Sequence, residues 1–320
     1  MGQRKKGAGA ALGKEGRGGA VMEENTTIDP ISSINIMDAF STPPDQLDFV
    51  LPGLVRQTVG SLICAGGGGK SMLILQLCAA IAMGEASPIC PADAMKPGKC
   101  LLIPAEDMQQ TVASRLFHLA ATNKLSKEQM EKISNNLKIL DILGSGVSPN
   151  LCHAEENWVK AIADEGQGCR LIVLDTLRRF HLLDENSGGD MALVVGKMEQ
   201  IAYMTGAAVI FLHHTNKGAA LSGGSDLQQA SRGSSVLVDN IRWQAYLSAM
   251  SRDESEKYTH KLGGAPIGDD RGYYVRYGVS KQNYGPPLSE IWLKRGDGGI
   301  LSPIVLHPVK KQKKNHGEGL

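Results

Sequence analysis

Five runs of almost unbroken apolar residues recur along the chain, with helix-period stretches between them. They are TVGSLIC (Thr58–Cys64), KCLLIPAE (Lys99–Glu106), LKILDIL (Leu137–Leu143), RLIVLDT (Arg170–Thr176) and AAVIFLHH (Ala207–His214). A strand that is apolar at successive positions must be covered on both faces. That condition is met in a mostly parallel sheet with helices on either side, built from βαβ units. The intervening stretches read as helices over Ser71–Met83, Met108–Ala121, Glu155–Glu165 and Ala192–Met204; the first is apolar nearly all round and therefore buried. After Ile241 the pattern changes to alternation in RWQAYLSAM, GYYVRYGVSK and IWLKR, which read as antiparallel additions to the same sheet. The expected class is α/β.

The first run leads into CAGGGGKS (Cys64–Ser71), which fits a phosphate-binding loop except that Cys64 stands where the pattern G-x-x-x-x-G-K-[ST] has glycine. That glycine only opens the turn, and a small residue such as Cys64 can do the same. A strand before the loop and a helix after it are what the chemistry requires. Backbone N–H groups of Ala65, Gly66, Gly67, Gly68 and Gly69 can then curl around a phosphate at the positive end of the helix dipole. Lys70 would reach the β- and γ-phosphates of ATP, and Ser71 would ligate Mg²⁺. Asp175, ending the run RLIVLD, supplies the acid on the Mg²⁺ side. Glu106, ending CLLIPAE, is the candidate base for the attacking water, with Asp107 read as the cap of the next helix. A glutamate at the end of this strand, rather than beside the Mg²⁺ acid, resembles the arrangement of RecA-type ATPases. His214, ending VIFLHH, is placed to sense the γ-phosphate, while His213 alternates to the other face and reads as packing.

Composition narrows the setting. A net charge of +1 over 320 residues leaves no overall pull toward nucleic acid, so such a partner would need a local patch. The six cysteines form no C-x-x-C pair and no His/Cys cluster, which argues against zinc or a disulfide framework. No apolar run reaches the roughly 18 residues that cross a membrane, and the basic N-terminus has no apolar core of a signal peptide. The chain reads as soluble and cytoplasmic, with no membrane partner. Residues 1–34 are rich in Gly, Ala, Lys and Arg without apolar period and read as a disordered basic tail. Residues 35–308 form the expected domain, and 309–320 a second short basic tail. Two polar, glycine-rich stretches, Leu182–Asp190 and Asn216–Arg232, are longer than a compact domain requires of loops.

Four longer segments carry a resemblance: LDTLRRFH (Leu174–His181), VIFLHHTNKGAA, QQASRGSSVLVDNIRWQ (Gln228–Gln244) and GVSKQNYGPP (Gly278–Pro287). Together, over roughly Ile34 to Pro308, the chain resembles the RepA-type replicative DNA helicases of broad-host-range IncQ-type plasmids, which are hexameric RecA/DnaB-like motors. The family also carries a non-glycine at the position of Cys64. The resemblance implies a RecA-like P-loop NTPase core, a homohexamer with ATP and Mg²⁺ at each subunit interface, and 5′→3′ translocation on single-stranded DNA that unwinds a forked duplex. It implies work alongside a plasmid primase and initiator. By motif it makes Lys70 and Ser71 the ATP and Mg²⁺ residues, Glu106 the base, Asp175 the acid, His214 the sensor and Arg242 the finger reaching the neighbour's ATP. It places Arg115 near the phosphates. DnaB-like motors carry a Lys-x-Arg pair near GVSKQNYGPP; here Asn283 stands at the arginine, leaving Lys281 alone as a nucleotide contact. In RecA-type proteins the two long loops face DNA, which makes Lys217 and Arg232 candidate phosphate contacts. A RecA-type strand-exchange filament and a RecA-like regulatory ATPase remain as alternatives.

Overall fold

A computed structural model describes residues 33–91, 96–214 and 235–309. The two tails beyond these limits, the stretch Asn216–Arg232 and with it Lys217 and Arg232, lie outside the described residues. Two compact units divide between Gln46 and Leu47. In the first, the short helix α1 (Ile36–Ser41) is capped by the Asn35 side chain, which accepts from the amides of Met37 and Asp38, and it buries none of its residues.

In the second unit the described strands are β1 (Phe49–Leu51), β2 (Leu54–Val55), β3 (Val59–Cys64), β4 (Lys99–Pro104), β5 (Leu137–Ile139), β6 (Cys169–Asp175), β7 (Ala208–His214), β8 (Trp243–Ala249), β9 (Tyr258–Thr259), β10 (Tyr274–Gln282), β11 (Ile291–Arg295), β12 (Leu301–Pro303) and β13 (His307–Pro308). Nine of them form one sheet in the order β12-β11-β10-β8-β3-β7-β6-β4-β5. From β8 to β5 every neighbour is parallel; β10, β11 and β12 continue the sheet antiparallel. The C-terminal strands are therefore antiparallel as expected with one exception. β8 runs parallel to β3 and turns only its other edge to antiparallel β10. Its alternating sequence reflects a strand at the boundary between the two halves, with Trp243, Ala245 and Leu247 facing one core and Gln244 bonded to Ser61 and Ser280.

Two hydrophobic cores lie on the two faces of the sheet, and the central strands divide their residues between them with period two. Cys100 and Leu102 of β4, Leu171 and Val173 of β6, and Ala208, Ile210 and Leu212 of β7 enter one core. Leu101 and Ile103, Ile172 and Leu174, and Val209 and Phe211 enter the other. This is the physical origin of the unbroken apolar runs. Helix α2 (Lys70–Met83) fills the first face, with every residue from Met72 to Ala82 buried; a single large-to-small change there would cost about 2–5 kcal/mol. Its one buried amide, Gln76, donates to the Leu301 carbonyl at 2.9 Å and accepts from the Leu301 amide at 3.0 Å, seating edge strand β12. Helices α3 (Gln109–Asn123) and α4 (Lys127–Asn136) follow β4, and α5 (Trp158–Glu165) and α6 (Gly188–Thr205) cover the second face.

Helix α4 is an addition to the elements expected from periodicity, and Ser126-x-x-Gln129 forms a reciprocal capping box at its start. The stretch Leu182–Asp190 is shorter as a loop than expected, because α6 begins at Gly188 with Ser187 as its cap. Asp107 does not cap α3, whose N-cap is Met108 with no side-chain bond; the Asp107 carboxylate is taken by Arg115 instead. Among the described residues no helix is long and apolar enough to cross a membrane.

Candidate functional site

The site is built at the C-terminal ends of the parallel strands. β3 ends at Cys64, residues 65–69 turn, and α2 starts at Lys70. Gly69, the residue before the helix, has φ +101°, a conformation open to glycine and strained for other residues. Gly68 is required for a different reason. A Cβ built on it would lie 1.7 Å from the Cys64 sulfur, which packs into the base of the loop. Cys64 thus occupies space that the loop's own glycine leaves free, and the departure from the usual pattern is compensated within the loop. Burial pushes its thiol above the ordinary range.

Lys70 is only 5% exposed. Its ammonium donates to the Cys64 carbonyl at 3.3 Å and approaches Nδ1 of His214 at 3.2 Å. Lysine has no acceptor, so His214 accepts at Nδ1 and carries its proton on Nε2. That nitrogen faces Oε2 of Glu106 at 3.9 Å. Burial first and Lys70 second hold the His214 ring below its usual pKa, which keeps it neutral near pH 7. Burial also lowers the Lys70 ammonium, opposed by Cys64, Asp175 and Glu106. Next to His214 in the chain, His213 is pushed to about 4 by burial, then by His214 and Lys70.

Glu106 lies just beyond β4. The Thr176 hydroxyl donates to its Oε1 at 2.9 Å, and Nε of Arg179 stands 3.6 Å from the same oxygen. Asp175, at the end of β6, is buried, and that burial raises its carboxyl to about 6 against the pull of the Ser71 hydroxyl. A buried carboxylate beside a hydroxyl is a hard-oxygen donor pair, and the chemistry of this pair suits Mg²⁺. Lys70, Ser71, Glu106, Thr176 and His214 line one cleft of about 270 Å³, together with Arg115. Arg115 is held at its wall by both oxygens of Asp107.

One cation at this cleft escaped sequence reasoning. Arg295, at the end of β11, donates from Nη2 to the Gly67 carbonyl at 3.2 Å, and its Nε is buried without a hydrogen-bond partner. The turn that follows brings Gly298 and Gly299 into the cleft wall, with Gly298 packed on the His118 ring of α3. The only signal was a basic residue before the Gly-rich turn GDGG, and a separation of 228 residues from Gly67 hid the contact. Arg295 also lines a second hollow of about 200 Å³ on the other side of the loop, with Ala65–Gly68, Tyr246, Ser248 and Val275.

Arg242, read as a finger for a neighbour's ATP, and Lys281 both lie away from this chain's own cleft. Arg242 precedes β8, and its amide bonds to the carbonyl of Val59, the first residue of β3. The loop follows the last residue of β3, so at about 3.3 Å per residue the two ends are roughly 17 Å apart. Lys281 is at that far end as well, its ammonium donating to the carbonyls of Val238 at 2.6 Å and Asp239 at 3.2 Å.

A family model described as AAA domain matches residues 29–220. Among solved structures, one described as an ATPase domain superposes with a TM-score of 0.52 at 12% identity, over 84% of this chain and 96% of that one. A DnaB-like replicative helicase, described with its interactions with primase, superposes with a TM-score of 0.51 at 13% identity, over 83% of this chain and 66% of that one. At such identities the likeness is one of fold: both share the RecA-like arrangement of a large, mostly parallel sheet flanked by helices.

Proposed function

The chain belongs to the AAA domain family, and from that premise we propose that it is an ATP-hydrolysing motor whose active sites form between copies of itself. The observation that carries this reading is the separation of Arg242 from its own loop by the length of β3. A cation held at the far end of the sheet serves a nucleotide only if a second copy stacks head to tail, and repetition of that contact gives a ring where the rotation closes and a filament where it does not. The finer reading follows from the sequence resemblance: a hexameric, RepA-like replicative helicase that moves on single-stranded DNA.

In this reading the ammonium of Lys70 neutralises charge on the β- and γ-phosphates. Ser71 and Asp175 would hold Mg²⁺, which would supply positive charge to offset that of the phosphates. The Glu106 carboxylate takes a proton from the attacking water, oriented by Thr176 and Arg179. His214 bridges Lys70 and Glu106, so a change at the phosphates is felt by the base. The base and sugar of the nucleotide would enter the hollow of about 200 Å³ beside Tyr246 and Val275. Arg242 of the neighbouring copy supplies the remaining positive charge, and Lys217 and Arg232 contact the DNA backbone.

The test mixes two inactive variants. Arg242→Ala and Glu106→Gln are each expected to be nearly dead alone. After subunit exchange, random mixing makes roughly a quarter of the head-to-tail interfaces competent, and ATP turnover should return. Background turnover despite proven exchange would mean that Arg242 serves its own subunit. Unwinding of 5′- and 3′-tailed duplexes then tests the motor: release of only the 5′-tailed strand supports the helicase. ATPase without unwinding of either favours a filament or a regulatory ATPase.

A further inference from the structure

Lys281, which the resemblance makes a nucleotide contact, has its ammonium at a helix end in its own chain. The helix Ser235–Asn240 ends two residues before Arg242, and its last carbonyls, like those of any helix, have no partner within the helix. The Lys281 ammonium donates to two of them, Val238 and Asp239, where the negative end of the helix dipole favours a cation. How Lys281 comes to be there is written in the register of β10. Val279 pairs with Ala245, but Lys281 pairs with Gln244, so Ser280 is an extra residue on that strand. Such a bulge re-aims the side chains that follow it. The Ser280 hydroxyl holds the bulge by donating to the Gln244 side chain at 2.9 Å. Two residues after Lys281, the Asn283 amide donates to the Arg242 carbonyl at 3.1 Å, while the Arg242 amide donates to Val59. The backbone of Arg242 is thus fixed on both sides, and its approach from the helix is fixed by Lys281.

We propose that Lys281 is a positioning residue that pins the end of helix Ser235–Asn240 within its own subunit and so sets the direction in which Arg242 is presented to the neighbour's nucleotide. The proposal rests on the reading of Arg242 as the finger. In its own chain the Lys281 ammonium is already occupied by two carbonyls at a helix end. Its removal leaves the guanidinium present but badly aimed, and misplacement of a catalytic group by about 1 Å can cost on the order of a hundredfold in rate.

The experiment uses the full chain and four variants: Lys281→Met, Lys281→Arg, Arg242→Ala, and Lys281→Met combined with Arg242→Ala. Steady-state ATP turnover and amide hydrogen exchange without nucleotide are the two readouts. Lys281→Met is expected to lower kcat roughly ten- to a hundredfold with little change in KM. It should also speed exchange at residues 236–242. Lys281→Arg, which can donate to the same two carbonyls, should recover most of both. In the Arg242→Ala background Lys281→Met should cost nothing further, because it acts through a side chain already removed. Several results would overturn the proposal. Unchanged exchange at 236–242 would remove the pin. A raised KM, or a further loss in the double variant, would put Lys281 on the phosphates directly. Faster exchange with normal kcat would reduce it to a structural tie. Near-normal turnover in Arg242→Ala alone would sink the finger reading itself, and this is read without any Lys281 variant.

Discussion

The two ends of β3 carry positive charge in opposite ways. At its C-terminal end Lys70 is buried, bonded to the Cys64 carbonyl and His214, and surrounded by Glu106 and Asp175. At its N-terminal end Arg242 is exposed, and among the described residues its guanidinium makes neither hydrogen bond nor ion pair. The backbone of Arg242 is nevertheless held from both sides. A charge that is buried and paired is completed within the chain that folds around it. In the proposed reading, one copy of this protein holds a nearly whole phosphate cleft and donates Arg242 to the next one.

The sharpest way to break this comparison is to remove each charge separately. Arg242→Ala should lower turnover by on the order of 10³–10⁵ while isolated subunits still bind nucleotide. Lys70→Ala should lose turnover by at least about 10²–10³ and lose binding too. Equilibrium binding of a fluorescent ATP analogue, set beside turnover, separates the two. If Arg242→Ala abolished binding by isolated subunits, the distinction between the two ends would be lost.

Asp175 sharpens the contrast through stability. Its carboxyl titrates near 6 in the folded chain against 3.8 unfolded, because burial disfavours the charged form. The folded state therefore holds this proton more tightly, and the group's contribution to stability falls as pH rises from about 4 through about 6. A difference of about two units corresponds to ~3 kcal/mol at pH 7.5. Asp175→Asn should therefore raise the Tm at pH 7.5 without Mg²⁺ while abolishing Mg²⁺-dependent turnover. A variant less stable than the parent at that pH, measured by urea unfolding, would refute the buried-charge account.

Smaller effects test how the loop is packed. Gly68→Ala forces a methyl group onto the Cys64 sulfur and should cost about 1–3 kcal/mol together with nucleotide affinity. Cys64→Gly in the same chain removes the clash and should restore most of both, which a double-mutant cycle in thermal unfolding and binding would register. Smallest is Gln76→Leu. It leaves the Leu301 amide and carbonyl without their partner and should cost about 1–2 kcal/mol net of the apolar gain. An unchanged Tm would mean that β12 is seated by other contacts.

Much of the core is legible in the sequence because its signals are local. Strands β3, β4, β6 and β7 announce themselves as apolar runs, since both faces are covered, and Lys70, Ser71, Glu106, Asp175 and His214 stand at or just beyond their ends. The direction of β8 is not legible. Its alternation of apolar and polar residues looks the same whether its neighbour is parallel or antiparallel, and only the path of the chain between β7 and β8 decides which. The capping box that opens α4 is readable, yet a short polar stretch between apolar runs reads equally well as a loop.

By itself the sequence determined the class of fold, the loop, and the identity of the groups gathered at its mouth, because strand and helix periods, glycine content and strand-end residues are properties of neighbouring positions. Tertiary structure alone decided what lies next to what across the sheet. It put Arg295 on the Gly67 carbonyl, Gln76 on Leu301, and Cys64 against Gly68. It also sent Lys281 to a helix end and left Arg242 facing outward, one strand length from its own loop. These are distances between residues far apart in the chain, or turns of a few degrees within a loop, and no local pattern of residue types encodes them.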